Sequence, residues 1–488
     1  MTDQPRLALT FEDVLLVPRR SSIRSRRHVS TRSCFTRGVE LAIPIVSANM
    51  DTVTTAAMAI AMAELGGLGV LHRFLPVDAQ VEEARRVKRY LGQVIEQPYT
   101  VGPTQTVAEA AAEARRLGVT GLVVVDAERR PVGILTARDM RADGGQAGRE
   151  GEHARAALNA TVASAMTPAD QLITARPGID LDEARKLLGR HRIEKLPLVG
   201  DDGRLAGLIT LRDIGLRERW PQATRDDQGR LRVAAALGVR GGYLARAQAL
   251  LEAGVDALVV DVAHGHADHT IDAVRELKAT WPDSQVVAGN VATADGFGDL
   301  AEAGADAVKV GIGPGFACTT RLVAGVGVPQ LTAILDCAEV ARETGVPLIA
   351  DGGIRHPGDV AKAIAAGAST VMIGGLFAGR PESPGEVVRR QGREYKVFRG
   401  MASLGAAAAR LEIEGRGDAL DQYVPEGEEM EFALKGPVAG IVNELVGGLR
   451  SGMSYVDATT IPEAWEKASF VRQTQSGRLE ARPGSPDP

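Results

Sequence analysis

From Arg230 onward the chain repeats one unit: a short run rich in small and β-branched apolar residues, a helical stretch, and then the next run. Leu231 to Leu237, Ala257 to Val262, Gln285 to Val291, Ala307 to Ile312, Pro347 to Asp351 and Thr370 to Gly374 are six strands of this kind. Three are introduced by the same helix-ending pair, Ala253-Gly254, Ala303-Gly304 and Ala366-Gly367, where Gly takes the left-handed cap geometry. Nearly continuous apolar strands alternating with helices specify a parallel sheet covered by those helices. The alternation begins earlier: Ile43 to Thr54 is a short apolar strand delivering polar residues at its C-terminal end, and a helical stretch from Thr55 to Leu65 leads through Gly66-Gly67 to Gly69-Val70-Leu71, with His72-Arg73 at the tip. These two bring the total to eight, the number that closes a (β/α)8 TIM barrel, whose chemistry lies at the C-terminal strand ends. The expected fold class is therefore α/β.

Between the second and third strands the texture changes. Gly133-Ile134-Leu135-Thr136-Ala137-Arg138-Asp139 recurs 74 residues later as Gly207-Leu208-Ile209-Thr210-Leu211-Arg212-Asp213. An Ala/Arg-rich helix and a strand precede each copy, Gly121 to Asp126 in the first and Lys195 to Val199 in the second. At 488 residues the chain exceeds one compact core. The expected division is residues 1–92 as the first part of the barrel, 93–215 as a duplicated insert, and 216–488 as the remainder.

A net charge of −5 gives no electrostatic footprint for nucleic acid, and the basic run from Arg19 to Arg27 is a solvated loop. Cys34, Cys318 and Cys337 lie far apart with no metal-ligand spacing, so neither a disulfide framework nor a zinc site is expected, and the compartment expected is a reducing cytoplasm. Met1 to Thr10 lacks a charged-then-apolar leader pattern, and the most apolar window, Ala56 to Leu71, carries Glu64 and is broken by Gly66-Gly67. No membrane span is expected.

Chemistry concentrates after Ala307-Val308-Lys309-Val310, in Gly311-Ile312-Gly313-Pro314-Gly315-Phe316-Ala317-Cys318-Thr319-Thr320-Arg321. Three glycines and a proline in five positions neither continue a strand nor start a helix, so the backbone forms an irregular loop whose N–H and C=O groups can face a ligand or ion. The loop ends in a thiol beside two hydroxyls and an Arg, surroundings that favour thiolate and make Cys318 a candidate nucleophile.

This loop, and nearly the whole chain with it, resembles the IMP dehydrogenase and GMP reductase superfamily, in which a glycine-rich turn binds a monovalent cation and presents the Cys that attacks C2 of a purine nucleotide. The resemblance implies K+ on the backbone carbonyls of Gly313, Gly315 and Cys318. It places Ser47 and Met50, with Gly400 and Met401, at the nucleotide. Asp351 suits the ribose hydroxyl pair, and the bare amides of Gly352, Gly353, Gly374 and Gly375 suit a 5′-phosphate. Asp261 and Asn290 would lie against the nicotinamide cofactor. Thr320 and Glu426 match the Thr and Glu with which GMP reductases handle the leaving ammonia.

Both reactions of the superfamily pass through one Cys–purine adduct. A dehydrogenase hydrolyses it with an Arg-Tyr pair carried after Gly-Met-x-Ser-Leu-Gly; here Gly400-Met401-Ala402-Ser403-Leu404-Gly405 is followed by no Arg-Tyr dipeptide before Glu426, and Arg410 and Arg416 would substitute for the pair only with difficulty, because it works as a unit. Phe398, Ser47 to Asp51 and Ala333 to Ala338 resemble reductases, Ala350 to Arg355 and Gly447 to Met453 resemble dehydrogenases, and Phe316 stands where both have a Ser that touches phosphate. The activity expected is that of a GMP reductase in purine salvage, converting GMP and NADPH to IMP, ammonia and NADP+. The alternatives are IMP dehydrogenase, making XMP from IMP and NAD+, and a regulatory nucleotide-binding barrel without turnover. The duplicated insert resembles a tandem pair of CBS domains. That resemblance implies purine effectors such as ATP or GTP held through Thr136, Asp139, Thr210 and Asp213, and a homo-tetramer, or a homo-octamer built through the CBS pairs.

Overall fold

The computed structural model describes residues 5–90, 95, 98–140, 158–413, 420 and 423–480. The chain divides into two compact units, residues 1–90 with 222–488, and residues 91–221.

In the first unit eight parallel strands close into a ring in sequence order: β1 (Ile45–Ser47), β2 (Leu68–Leu71), β3 (Ala234–Leu237), β4 (Ala257–Asp261), β5 (Val286–Val291), β6 (Ala307–Val310), β7 (Leu348–Asp351) and β8 (Thr370–Ile373). This is the expected barrel. Successive side chains of a strand point to opposite faces, so each strand sends one set inward. Val46, Leu68, Ala234, Ala257, Ala307 and Met372 belong to that set and form one buried cluster. Six of the eight strands contribute alanine or glycine to the ring wall, which leaves room for larger neighbours to interdigitate.

A hairpin of Ser33–Thr36 and Val39–Leu41 closes the N-terminal end of the ring. Its backbone and side chains bond residues that directly precede barrel strands: Arg37 N–H donates to the Asp306 carbonyl at 3.1 Å, and Gly38 N–H to Gln285 Oε1 at 2.8 Å. Phe35, Val39 and Leu41 of this hairpin are fully buried in the same cluster as the inward strand residues. The opposite, C-terminal end is open to loops. Beside it stands a three-stranded antiparallel sheet of Val388–Arg390, Arg393–Arg399 and Glu429–Ala433. Near the termini, Val14–Leu16 pairs antiparallel with Phe470–Arg472.

The second unit carries the repeat. Its first copy packs the helix Val107–Leu117 on the antiparallel strands Gly121–Val125 and Pro131–Thr136, and its second packs Leu181–His191 on Lys195–Val199 and Leu205–Thr210. Thr106 and Glu109 cap the first helix reciprocally and Asp180 caps the second. Each copy has its own small core, and Val123, Leu205 and Leu208 join them in a third cluster. Asp139 turns inward, accepting from Thr136 N–H at 2.8 Å and from Thr136 Oγ1 at 2.7 Å. The Asp213 side chain lies outside the described residues. No described helix is long and apolar enough to cross a membrane.

Replacing Phe35 with Ala removes the largest side chain of the hairpin plug. The cost expected is about 3–5 kcal/mol, typical of a cavity left by a fully buried Phe, and the urea midpoint of Phe35→Ala against the parent measures it.

Candidate functional site

The inward register of β4, β6 and β7 sets the floor of the site. Counting by two from Ala257 and Val259 reaches Asp261; from Ala307 the same step reaches Lys309, and from Ile349 it reaches Asp351. The Lys309 ammonium donates to Asp261 Oδ1 at 2.9 Å and to Asp351 Oδ2 at 2.7 Å, with its side chain only 3% exposed. Burial by itself would push this lysine down; the two carboxylates override it and hold it above the ordinary lysine value. Burial likewise opposes ionisation of Asp261, but Lys309, with help from Arg73 and a bond from Asn49, holds that carboxyl below the usual range. Asn290 adds a second donor to Asp351 Oδ2, at 2.9 Å, and its Nδ2 also reaches the Gly311 carbonyl at 2.8 Å.

Above this floor the cysteine loop leaves β6. A side chain at Gly311 would put its Cβ 2.1 Å from the Asp351 carbonyl, so only glycine lets the two strand ends lie so close. Gln330 ties the same two ends from the other side, donating to the Val310 carbonyl at 2.9 Å and to the Asp351 carbonyl at 3.2 Å. Cys318 N–H closes back on the Gly315 carbonyl at 3.1 Å, and the thiol lies 3.3 Å from Thr320 Oγ1. Arg321 is near enough to Cys318 to interact with it electrostatically.

Two further segments are laced onto that loop by backbone bonds. Thr319 N–H donates to the Glu426 carbonyl at 2.9 Å, Glu428 N–H to Ala317 at 2.9 Å, and Glu426 N–H to Ala402 at 3.0 Å. Tyr423 donates its hydroxyl to the Ala402 carbonyl at 3.1 Å. Burial pushes this phenol up; the nearby Arg410 acts in the opposite sense and Glu426 in the same one. The turn at 400–403, the 423–428 segment and the Cys loop thus form one wall. Arg399, just before the turn, anchors it to the barrel through Asp51, donating from Nε at 2.8 Å.

The floor and the wall enclose a cavity of about 350 Å³, within the range of small-molecule sites. Met50, Asp261, Asn290, Asp351 and the pairs Gly352-Gly353 and Gly374-Gly375 line it together with Gly313, Gly315, Cys318, Thr320, Gly400, Met401 and Glu426. Ser47 does not: it is fully buried and accepts a bond from Thr54 Oγ1 at 2.9 Å. It sits one residue out of register with the inward-facing Val46 and Ala48, so β1 turns it toward the outer helix layer. His72 is also buried, 4% exposed, while its neighbour Arg73 reaches the cavity. Phe316, 55% exposed, lies over Gly375 and joins Phe398 and Phe432 in an aromatic group, its ring 5.5 Å from that of Phe432.

Lys309, Arg73, the Asp51–Arg399 pair and Tyr423 are not singled out as site residues by the sequence, and Arg410 is singled out only as a substitute for the dehydrogenase pair. Parity was the available signal for Lys309, since it follows Ala307 by two. Arg410 and Tyr423 are thirteen positions apart and reach one wall only in the fold. Arg416, the other candidate substitute for a dehydrogenase pair, lies outside the described residues.

The chain is 50% identical over 474 residues to inosine-5′-monophosphate dehydrogenase of Aquifex aeolicus, covering 97% of this chain and 94% of that one. It is 46% identical over 479 residues to the same enzyme of Nitrosopumilus maritimus, covering 97% and 98%. Among solved structures it superposes on a cysteine-to-alanine variant of Trypanosoma brucei GMP reductase in complex with guanosine 5′-monophosphate, with a TM-score of 0.91, 43% identity, and coverage of 99% of this chain and 98% of that chain. GMP reductase from the same organism in complex with guanosine 5′-triphosphate gives a TM-score of 0.80 at 40% identity, covering 96% and 98%. A profile of the IMP dehydrogenase / GMP reductase domain matches residues 8–484, and the chain belongs to that family of oxidoreductases.

Proposed function

We propose that this protein is a GMP reductase, converting GMP and NADPH to IMP, ammonia and NADP+. The observation that carries the reading is the grouping of Cys318, Thr320 and Glu426 at one cavity wall, with the thiol 3.3 Å from the Thr320 hydroxyl. A bound GMP would present C2 to Cys318, its ribose diol to Asp351, its phosphate to the amides of Gly352, Gly353, Gly374 and Gly375, and its base to Met50, Gly400 and Met401. The Cys318 sulfur then bonds to C2. Thr320 and Glu426 deliver the proton with which the 2-amino group leaves as ammonia, and the thiolate is released when C2 becomes the C–H of IMP.

Asn290 Oδ1 is buried without a partner, an acceptor that a carboxamide N–H would fill, and Asp261 stands beside it in the cavity wall. These residues fit a nicotinamide dinucleotide, which when bound supplies the hydride. Gly313, Gly315 and Cys318 stand on one loop at the cavity, and their backbone carbonyls would hold a monovalent cation such as K+, fixing the loop that carries the thiol. The solved GMP reductase that holds GMP supports this reading across almost the whole chain.

IMP dehydrogenase is the second reading. It is favoured by the curated relatives and by Arg410 and Tyr423, which line the wall beside Glu426 although they are not adjacent in sequence. A regulatory role for the second unit is part of the proposal: Thr136, Asp139, Thr210 and Asp213 would hold purine nucleotides as a CBS pair does, and a GTP complex is known for the reductase relative.

The purified enzyme is expected to oxidise NADPH when given GMP, with IMP and ammonia as products, and Cys318→Ser is expected to bind GMP while losing turnover by several orders of magnitude, because a hydroxyl lacks the thiolate's reactivity. Rapid XMP formation from IMP and NAD+, with GMP inert, would select the second reading instead. Full-length enzyme titrated with ATP or GTP is expected to change rate, and removal of residues 93–215 to abolish that response while leaving GMP turnover. A rate indifferent to both nucleotides would leave the second unit without a regulatory part.

A further inference from the structure

Asp261 and Asp351 belong to different ligands in the proposed reaction, the dinucleotide and the mononucleotide, yet one buried cation joins them. Lys309 rises from β6 and bonds one oxygen of each, Asp261 Oδ1 at 2.9 Å and Asp351 Oδ2 at 2.7 Å. Asn290 takes the same Asp351 Oδ2 at 2.9 Å, so Asp351 Oδ1 is the oxygen left for a ligand in the cavity that the residue lines. Lys309 lines the cavity, but only 3% of its side chain is exposed and its ammonium is turned to the two carboxylates.

We propose that Lys309 is a positioning residue for both ligands at once, holding the Asp261 and Asp351 side chains turned so that their remaining oxygens face the dinucleotide and the nucleotide. The inference rests on the ligand assignments of the proposed function. Its physical basis is that a hydroxyl or N–H of a ligand bonds a carboxylate about twice as strongly as it bonds a neutral acid, while two carboxylates sharing one low-dielectric floor do not both stay ionised without a cation between them. Arg73, from the tip of β2, is the other cation acting on Asp261. Cys318, Arg355, Arg410, Tyr423 and Glu426 face the same cavity from its walls. The Lys309 ammonium donates to both floor carboxylates.

The test uses full-length protein, with GMP affinity measured by calorimetry and NADPH affinity by fluorescence between pH 6.5 and 8.5. Lys309→Met is expected to weaken both ligands by roughly 10–100-fold at pH 7, the usual effect of losing a charge-assisted bond. Its NADPH affinity should then climb with pH, by up to roughly tenfold per unit, as Asp261, no longer held down by Lys309, regains its charge, whereas the parent stays nearly flat. Lys309→Arg keeps a cation and should restore both affinities to within a few-fold. Should Lys309→Met not fold, Lys309→Met combined with Asp261→Asn removes the ammonium with one carboxylate. That variant is expected to recover GMP binding while NADPH binding stays weak, and loss of both ligands in it would overturn the proposal. So would a folded Lys309→Met with parental affinities, with a defect in one ligand only, or with a loss that does not vary with pH. If the parent itself binds neither GMP nor NADPH, the proposed function falls and this role with it; parental binding beside an indifferent Lys309→Met removes only the role of Lys309.

Discussion

A ring of eight strands admits only every second side chain to its interior, and that constraint decides where this protein can keep charge. Along most of the ring the inward positions are alanine, valine and other apolar residues, packed against the hairpin that closes the N-terminal end. At the last inward step of β4, β6 and β7 the pattern changes to Asp261, Lys309 and Asp351. A lone charge there would be strongly disfavoured, because burial penalises the ionised form by several kcal/mol. The three groups offset that penalty together, and the polar layer they make is the floor on which a ligand would rest.

The reactive wall follows a different logic. None of Cys318, Thr320 or Glu426 is on a barrel strand, and side-chain packing fixes them less than backbone bonding does. The loop from β6 is held by Gln330 beneath and by the 400–403 and 423–428 segments above, each joined through N–H to C=O bonds near 3 Å. Geometry set by backbone pairs is insensitive to rotamer changes, which suits a site that must bring a thiol, a hydroxyl and a carboxylate to one atom. The Asp51–Arg399 pair then fixes this layer to the tip of β1, and the Phe316, Phe398 and Phe432 group makes its apolar flank.

Most of this architecture was legible in the sequence because it is written in local patterns. The βα alternation gave all eight strands, the repeat of Thr-x-Arg-Asp located the duplication, and the glycine-rich loop located the thiol. What escaped depends on parity and on long-range proximity. Ser47 was expected at the nucleotide from its motif, but one step of register sends it outward to Thr54. Lys309 reads as a polar interruption of an apolar strand until its neighbours show that it faces inward. Asp51 and Arg399 are 348 positions apart, so their pairing has no local trace. The pairing of Arg410 with Tyr423 escaped because the motif sought was a dipeptide, whereas a helix and a later loop bring the two groups to the same wall.

That last juxtaposition also separates the two chemistries open to such a wall. Hydrolysis of a thioester-like or thioimidate-like adduct needs a base that takes a proton from water, and a phenol serves as such a base only if its pKa is lowered toward neutrality. Tyr423 is displaced the other way: burial pushes its hydroxyl up, the nearby Glu426 adds to that, and Arg410 only partly opposes it. At neutral pH it therefore stays protonated, donating to the Ala402 carbonyl. Loss of an amino group from the same adduct makes the opposite demand, since the amine departs only when it gains a proton. A wall that keeps a phenol protonated beside a Thr and a Glu supplies the kind of proton donor that release of ammonia would need.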